Sequence, residues 1–172
     1  METELKQRSR DREGAVSSLV APRLAQQNTV GPRPIVLVLE DSEDDFYLLQ
    51  RAFNKVDGYT EMVHLCEGAQ TLEYLAKAKQ DPKRAPALLL LDLKMPGTSG
   101  FDVLKWIRND PVFKTLPVNV LSSSAELTDV QKAFELGANA YTVKPMSLDA
   151  YDNLVTTLLK FWFELGRLPR RQ

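Results

Sequence analysis

Three runs of this chain, IVLVL at 35–39, LLLL at 88–91 and VNVL at 118–121, are apolar at nearly every position. A strand with one wet face alternates polar and apolar side chains. A strand that is apolar throughout must be covered on both faces. Segments with helical spacing separate these runs. Phe46, Leu49, Ala52, Phe53 and Val56 mark a first helix, and Leu72, Leu75 and Ala76 a second, with the short strand MVHLCE between them. SGFDVLKWIRND follows the leucine run, with Ser99 as its N-cap. DVQKAFELG ends on Gly137 in the C′ position, NAYTVK reads as a fifth strand, and a last helix spans about Ser147 to Leu165. Five strand–helix units in succession require right-handed crossovers, which predicts a doubly wound α/β sandwich around a parallel sheet.

In an open sheet of this kind, ligands bind beyond the carboxyl ends of the strands. The first strand ends in Glu40-Asp41, the third in Asp92, the fourth in Ser122-Ser123-Ser124 and the fifth in Lys144-Pro145. The second ends at Glu67, which an edge position holds away from the centre. Taken singly, an aspartate after a strand is more often a turn or helix cap. Glu40-Asp41-Ser42 is equally well a cap, Lys144 a solvated charge and Ser122 a turn residue. All of them on one rim reverse those odds. Three neighbouring carboxylates repel one another and raise each other's pKa. A hard divalent cation removes that repulsion, and oxygen-only ligands select Mg²⁺, Mn²⁺ or Ca²⁺ over zinc. With Lys144 and the Ser122 hydroxyl beside them, the predicted pocket suits a phosphoryl group.

The rest of the chain bounds this reading. Its 172 residues carry 22 basic and 23 acidic side chains, so no overall field favours nucleic acid or a membrane surface. Cys66 is the single cysteine, which excludes an internal disulfide framework. No apolar run approaches the ~20 residues needed to span a bilayer. The charged start METELKQRSRDREG has no apolar segment behind it, so a cytoplasmic protein is expected. Residues 1–34, with Pro22, Pro32 and Pro34, read as a tail, residues 35–166 as the domain, and residues 167–172 as a short basic end. His64, beside Cys66 in the second strand, reads as structural rather than as a ligand.

With VLEDS, LLLLDLKMPGTSG, PVNVLSSSA and GANAYTVKP in that order at four strand ends, the chain resembles the receiver domains of bacterial two-component response regulators. The resemblance covers about residues 35–160, including the intervals of 30 residues from Asp92 to Ser122 and 22 from there to Lys144. It implies a flavodoxin-like (βα)5 fold with a five-stranded parallel sheet in the order 2-1-3-4-5. It also implies that Asp92 accepts a phosphoryl group from a histidine kinase. Glu40, Asp41, Asp92 and the backbone carbonyl of Lys94 would hold Mg²⁺. Ser122 and Lys144 would engage the phosphoryl oxygens, Tyr141 would rotate inward as part of the switch, and the Lys144–Pro145 peptide would be cis. Three positions are set against the common pattern: serine in place of threonine at 122, Ser123 where a small residue is usual, which leaves access to Asp92 open, and Lys94 close to the metal site.

No output domain is expected after the last helix, so signalling would pass to a protein partner, without nucleic acid or membrane. On that helix Tyr151, Leu154, Leu158, Phe161 or Trp162, and Leu165 predict a stripe facing the sheet. Val155, Leu159 and Phe163 predict a second stripe available for a homodimer. The ending KFWFELGRLPRR resembles regulators paired with bacterial phytochrome-type kinases. Two other readings compete. One is a pseudo-receiver that works by protein contacts without phosphate. The other is an aspartate-nucleophile phosphatase, which lacks its second carboxylate because Lys94 stands two residues after Asp92.

Overall fold

Five parallel strands pair in the order β2-β1-β3-β4-β5 in the computed structural model, which describes residues 33–56, 60–166 and 168. They are β1 (Ile35–Leu39), β2 (Glu61–Leu65), β3 (Pro86–Leu91), β4 (Val118–Ser122) and β5 (Ala140–Val143). The helices between and after them are α1 (Glu43–Val56), α2 (Gly68–Ala78), α3 (Gly100–Asn109), α4 (Leu127–Glu135) and α5 (Leu148–Leu159). A short 3₁₀ turn (Pro82–Arg84) precedes β3, and α5 continues as a π-helical turn over Lys160–Leu165. This is the expected flavodoxin-like sandwich. The tail readings fall outside the described residues, apart from Arg33, Pro34 and Leu168.

The leucine run explains itself once the sheet is assembled. Leu89 and Leu91 join Leu37, Leu39, Val118 and Val120 on the face covered by α2 and α3, where Leu75, Val103, Leu104 and Ile107 complete the core. Leu88 and Leu90 join Val36 and Val38 on the opposite face, against Leu49 and Phe53 of α1 and Tyr151 of α5. Alternate side chains of a strand point to opposite faces, so each face takes two of the four leucines. Asn119, a polar residue in the middle of β4, is buried but bonded: its amide donates to the Val120 carbonyl and to Thr142 Oγ1. At the end of α4, Gly137 has φ of +92°, its N–H donates to the Phe134 carbonyl, and the Ala138 N–H donates to Ala133. These two bonds form a Schellman cap, with the glycine in the C′ position expected from the sequence.

Two expectations are corrected. Val155 and Leu159 do not form a second, outward stripe: both are buried in the same cluster as Tyr151 and Leu158, and Phe163 is half-buried against it. At 3.6 residues per turn, position 155 lies only about 40° around the helix from Tyr151, well inside the inward arc. Among the described residues the exposed apolar side chains at this end are Phe161 and Leu165, so the stripe expected to face the sheet does not extend to Leu165. The Lys144–Pro145 peptide is trans, as is every peptide bond among the described residues. The trans form is the intrinsic preference of an X–Pro bond, and here the fold keeps it.

Because Leu89 is fully buried in the central strand, Leu89→Ala is expected to cost about 2–5 kcal/mol. Urea unfolding followed by circular dichroism checks this. A loss under about 1 kcal/mol would contradict the two-sided packing.

Candidate functional site

The sheet brings the rim residues together through its register. Leu39 pairs with Leu91, so Glu40 and Asp92 leave adjacent strands side by side. The ladder runs one step further on each side: the Asp92 N–H donates to the Leu39 carbonyl, and the Glu40 N–H to the Leu65 carbonyl. The Lys144 N–H likewise donates to the Ser122 carbonyl. The backbones of Glu40, Asp92 and Lys144 are therefore fixed by the sheet rather than by free loops.

Lys144 closes the site. Its Nζ donates to Glu40 Oε1 at 2.9 Å, to Asp92 Oδ2 at 2.8 Å and to Asp45 Oδ2 at 2.8 Å. The side chains of Lys144, Glu40 and Asp92 are only 7%, 2% and 5% exposed, so these charges exist there only because they are paired. Burial alone would lower the ammonium pKa. The hydrogen bonds that it donates to Asp45, Asp92 and Glu40 outweigh this and hold that pKa above the ordinary lysine value. The other Asp92 oxygen, Oδ1, accepts the backbone N–H groups of Leu93 at 2.6 Å and Lys94 at 3.3 Å.

Asp92 is held from below as well. A Cβ on Gly100 would lie 2.0 Å from the Asp92 carbonyl oxygen and 2.8 Å from Leu93 Cα. The start of α3 therefore seats directly against the end of β3, an approach that only glycine permits. Sequence reasoning missed this residue, although it stands inside the LLLLDLKMPGTSG motif.

One carboxylate oxygen from each of Glu40, Asp41 and Asp92 lies within 4.8 Å of the other two. Asp41 is exposed, whereas the other two are buried, so the cluster opens to solvent on one side. Three converging carboxylates, all oxygen donors, fit a hard divalent cation and no soft one.

The remaining predicted residues form an adjoining network. Ser122 is buried at the end of β4, and its Oγ accepts the Ser124 N–H at 3.4 Å. Tyr141 Oη donates to the Ser124 carbonyl at 2.9 Å. Ser124 Oγ donates to Asp129 at 2.6 Å, and Lys94 Nζ pairs with the same carboxylate at 3.2 Å. Hydrogen bonds from Ser124 and Lys94 lower the Asp129 pKa, and the bond to Asp129 raises that of Lys94. Lys94 thus ties the loop after β3 to the first turn of α4 and does not point at the carboxylate cluster. Neither Asp45 nor Asp129 was singled out from the sequence, though both are acidic first-turn residues.

The family model of the response regulator receiver domain matches residues 36–156. The response regulator Rcp1 of Synechocystis is 32% identical over 139 residues, 80% of this chain and 95% of that protein. The crystal structure of its Mn²⁺-bound form covers 80% of this chain and 99% of that one with a TM-score of 0.70. The phosphorylated cyanobacterial phytochrome response regulator RcpA is 30% identical, with a TM-score of 0.73 over 80% of this chain and 99% of that one. The response regulator RPA3017, in red light signalling of R. palustris, is 33% identical with a TM-score of 0.72 over the same shares.

Burial pushes the Glu40 carboxyl from 4.5 up to about 7; Lys144 opposes the shift, and the neighbouring Asp92 charge adds to it. The folded-state pKa is the higher one, so the stability this group contributes is complete below 4.5 and is lost as pH rises through about 7. In a chelating buffer the unfolding free energy should fall across that window by on the order of 3 kcal/mol. Glu40→Gln should flatten the fall. A wild-type profile as flat as the variant's would refute the assignment.

Proposed function

This chain belongs to the response regulator receiver domain family, and from that premise we propose that Asp92 takes a phosphoryl group from the phosphohistidine of a partner histidine kinase. The observation that carries the proposal is the buried Lys144 ammonium shared between Glu40 and Asp92 at the carboxyl end of the sheet. In the transfer, the nitrogen–phosphorus bond of the donor breaks as a bond forms from an Asp92 carboxylate oxygen to phosphorus. Glu40, Asp41, Asp92 and the backbone carbonyl of Lys94 would hold Mg²⁺. When bound, the ion supplies neutralisation of the phosphoryl charge.

The protein's own groups do the positioning. The Leu93 and Lys94 N–H groups fix Asp92 Oδ1, so Oδ2, beside Lys144, is the oxygen aimed into the pocket. Lys144 passes from the carboxylates to the phosphoryl oxygens, and the Ser122 hydroxyl turns to donate to one of them. Ser122 carries the Ser124 segment with it, and the Ser124 carbonyl is bonded to Tyr141 Oη. Movement at the phosphoryl group is thereby passed to β5 and α4, a local event biasing a two-state surface.

The likeness to Rcp1, RcpA and RPA3017 supports a phytochrome-type kinase as donor, with the readout taken by a downstream protein. A cytoplasmic site of action fits that pairing; among the described residues no helix is long and apolar enough to cross a membrane. A homodimer would use the end of α5, where Phe161 is 53% and Leu165 is 70% exposed.

With Mg²⁺ and acetyl phosphate, the intact mass of the wild type should rise by one phosphoryl group, and Asp92→Asn should show no gain. A wild type that gains no mass would leave the phosphate-independent pseudo-receiver as the better reading. In light scattering, Phe161→Glu with Leu165→Glu should convert a dimer to a monomer. A monomeric wild type, or a dimer untouched by the pair, would contradict that interface.

A further inference from the structure

His64 sits on the edge strand β2, opposite Val38 of β1. Its Nε2 lies 2.8 Å from the backbone carbonyl oxygen of Glu40. A carbonyl oxygen can only accept, so Nε2 carries the proton and donates. The imidazole also lies flat on the Phe46 ring, with centroids 3.5 Å apart and planes 7° apart. Phe46 is in the first turn of α1, and its N–H donates to the Ser42 carbonyl. A single side chain thus holds both ends of the segment from Glu40 to Phe46.

We propose that His64 is a positioning residue for the acid pair Glu40-Asp41, setting how well that pair holds a divalent cation. The Glu40 N–H is already fixed on Leu65, so the carbonyl bond to His64 secures the other side of the same residue. The Glu40 carbonyl and the Asp41 N–H belong to one rigid peptide plane. Fixing that carbonyl therefore fixes the direction in which Asp41 leaves the strand. Of the three clustered carboxylates, Asp41 is the exposed one, which the buried ion pairs with Lys144 do not orient. Outer residues that orient ligands typically change metal affinity 10- to 100-fold when lost. His64 acts through a backbone group one step removed, so a smaller effect is expected.

The inference rests on the metal reading of the site, and the experiment separates the two. Mg²⁺ is titrated by calorimetry into the wild type, Asp41→Asn, His64→Phe and His64→Gln, and thermal unfolding of each is measured in chelator. His64→Phe keeps a ring on Phe46 but removes the donor. His64→Gln loses the ring but places an amide N–H at the same number of bonds from the backbone. Mg²⁺ should bind about 3- to 10-fold more weakly to His64→Phe, with little change in the chelator melting temperature. His64→Gln should return to within about twofold of the wild type. Equal affinity in wild type and His64→Phe would overturn the role, as would a His64→Gln variant as weak as His64→Phe. Wild type and Asp41→Asn that both fail to bind Mg²⁺ would instead overturn the metal reading, and the role would fall with it.

Discussion

Everything at the active rim depends on one buried ammonium. Lys144 touches carboxylates from the ends of β1 and β3 and from the first turn of α1, and so ties three elements together at the rim. Taking it away would leave Glu40 and Asp92 as like charges with little water to screen them, and breaking such a buried pair typically costs about 3–5 kcal/mol. Lys144 rises from β5, two strands away from β3 in the sheet. Its long aliphatic stem has to span β4, and Ser122 sits buried at the end of that strand. The lysine, the hydroxyl and the aspartate are therefore placed by one strand order.

The apolar sheet beneath makes that arrangement affordable. With leucines filling both faces of β3, the strand cannot slip by one residue without turning its whole pattern onto the wrong layers. Asp92 is thus fixed in register as well as in direction, and Gly100 lets α3 close against its carbonyl. The same rigidity gives the network around Ser124 something to move against. Tyr141 and Asp129 both meet the short segment after β4, and Lys94 joins through Asp129, so β5, α4 and the loop after β3 are linked through one network.

Much of this was legible in the sequence because strands that are apolar on both faces admit few architectures. The strand ends then located Glu40, Asp41, Asp92, Ser122 and Lys144 on one rim. What escaped depended on helix phase and side-chain reach. Asp45 and Asp129 belong to helices by pattern, yet their first-turn positions turn them back toward the site. His64 looked like an isolated strand residue; its partner is a backbone carbonyl, which leaves no mark in side-chain motifs. On α5, grouping residues into two stripes ignored that Val155 lies close to Tyr151 around the helix, so the outward surface was assigned to the wrong side chains. The trans Lys144–Pro145 peptide departed from the family expectation without altering where Lys144 points.

The central claim is that Lys144 is the resident counter-cation of a site built for a divalent one. Calorimetric titration of Mg²⁺ into folded wild type and Lys144→Met tests it most directly. Without the competing ammonium, the carboxylates should bind Mg²⁺ more tightly in the variant, by roughly tenfold. Unchanged or weaker binding in Lys144→Met would contradict the account.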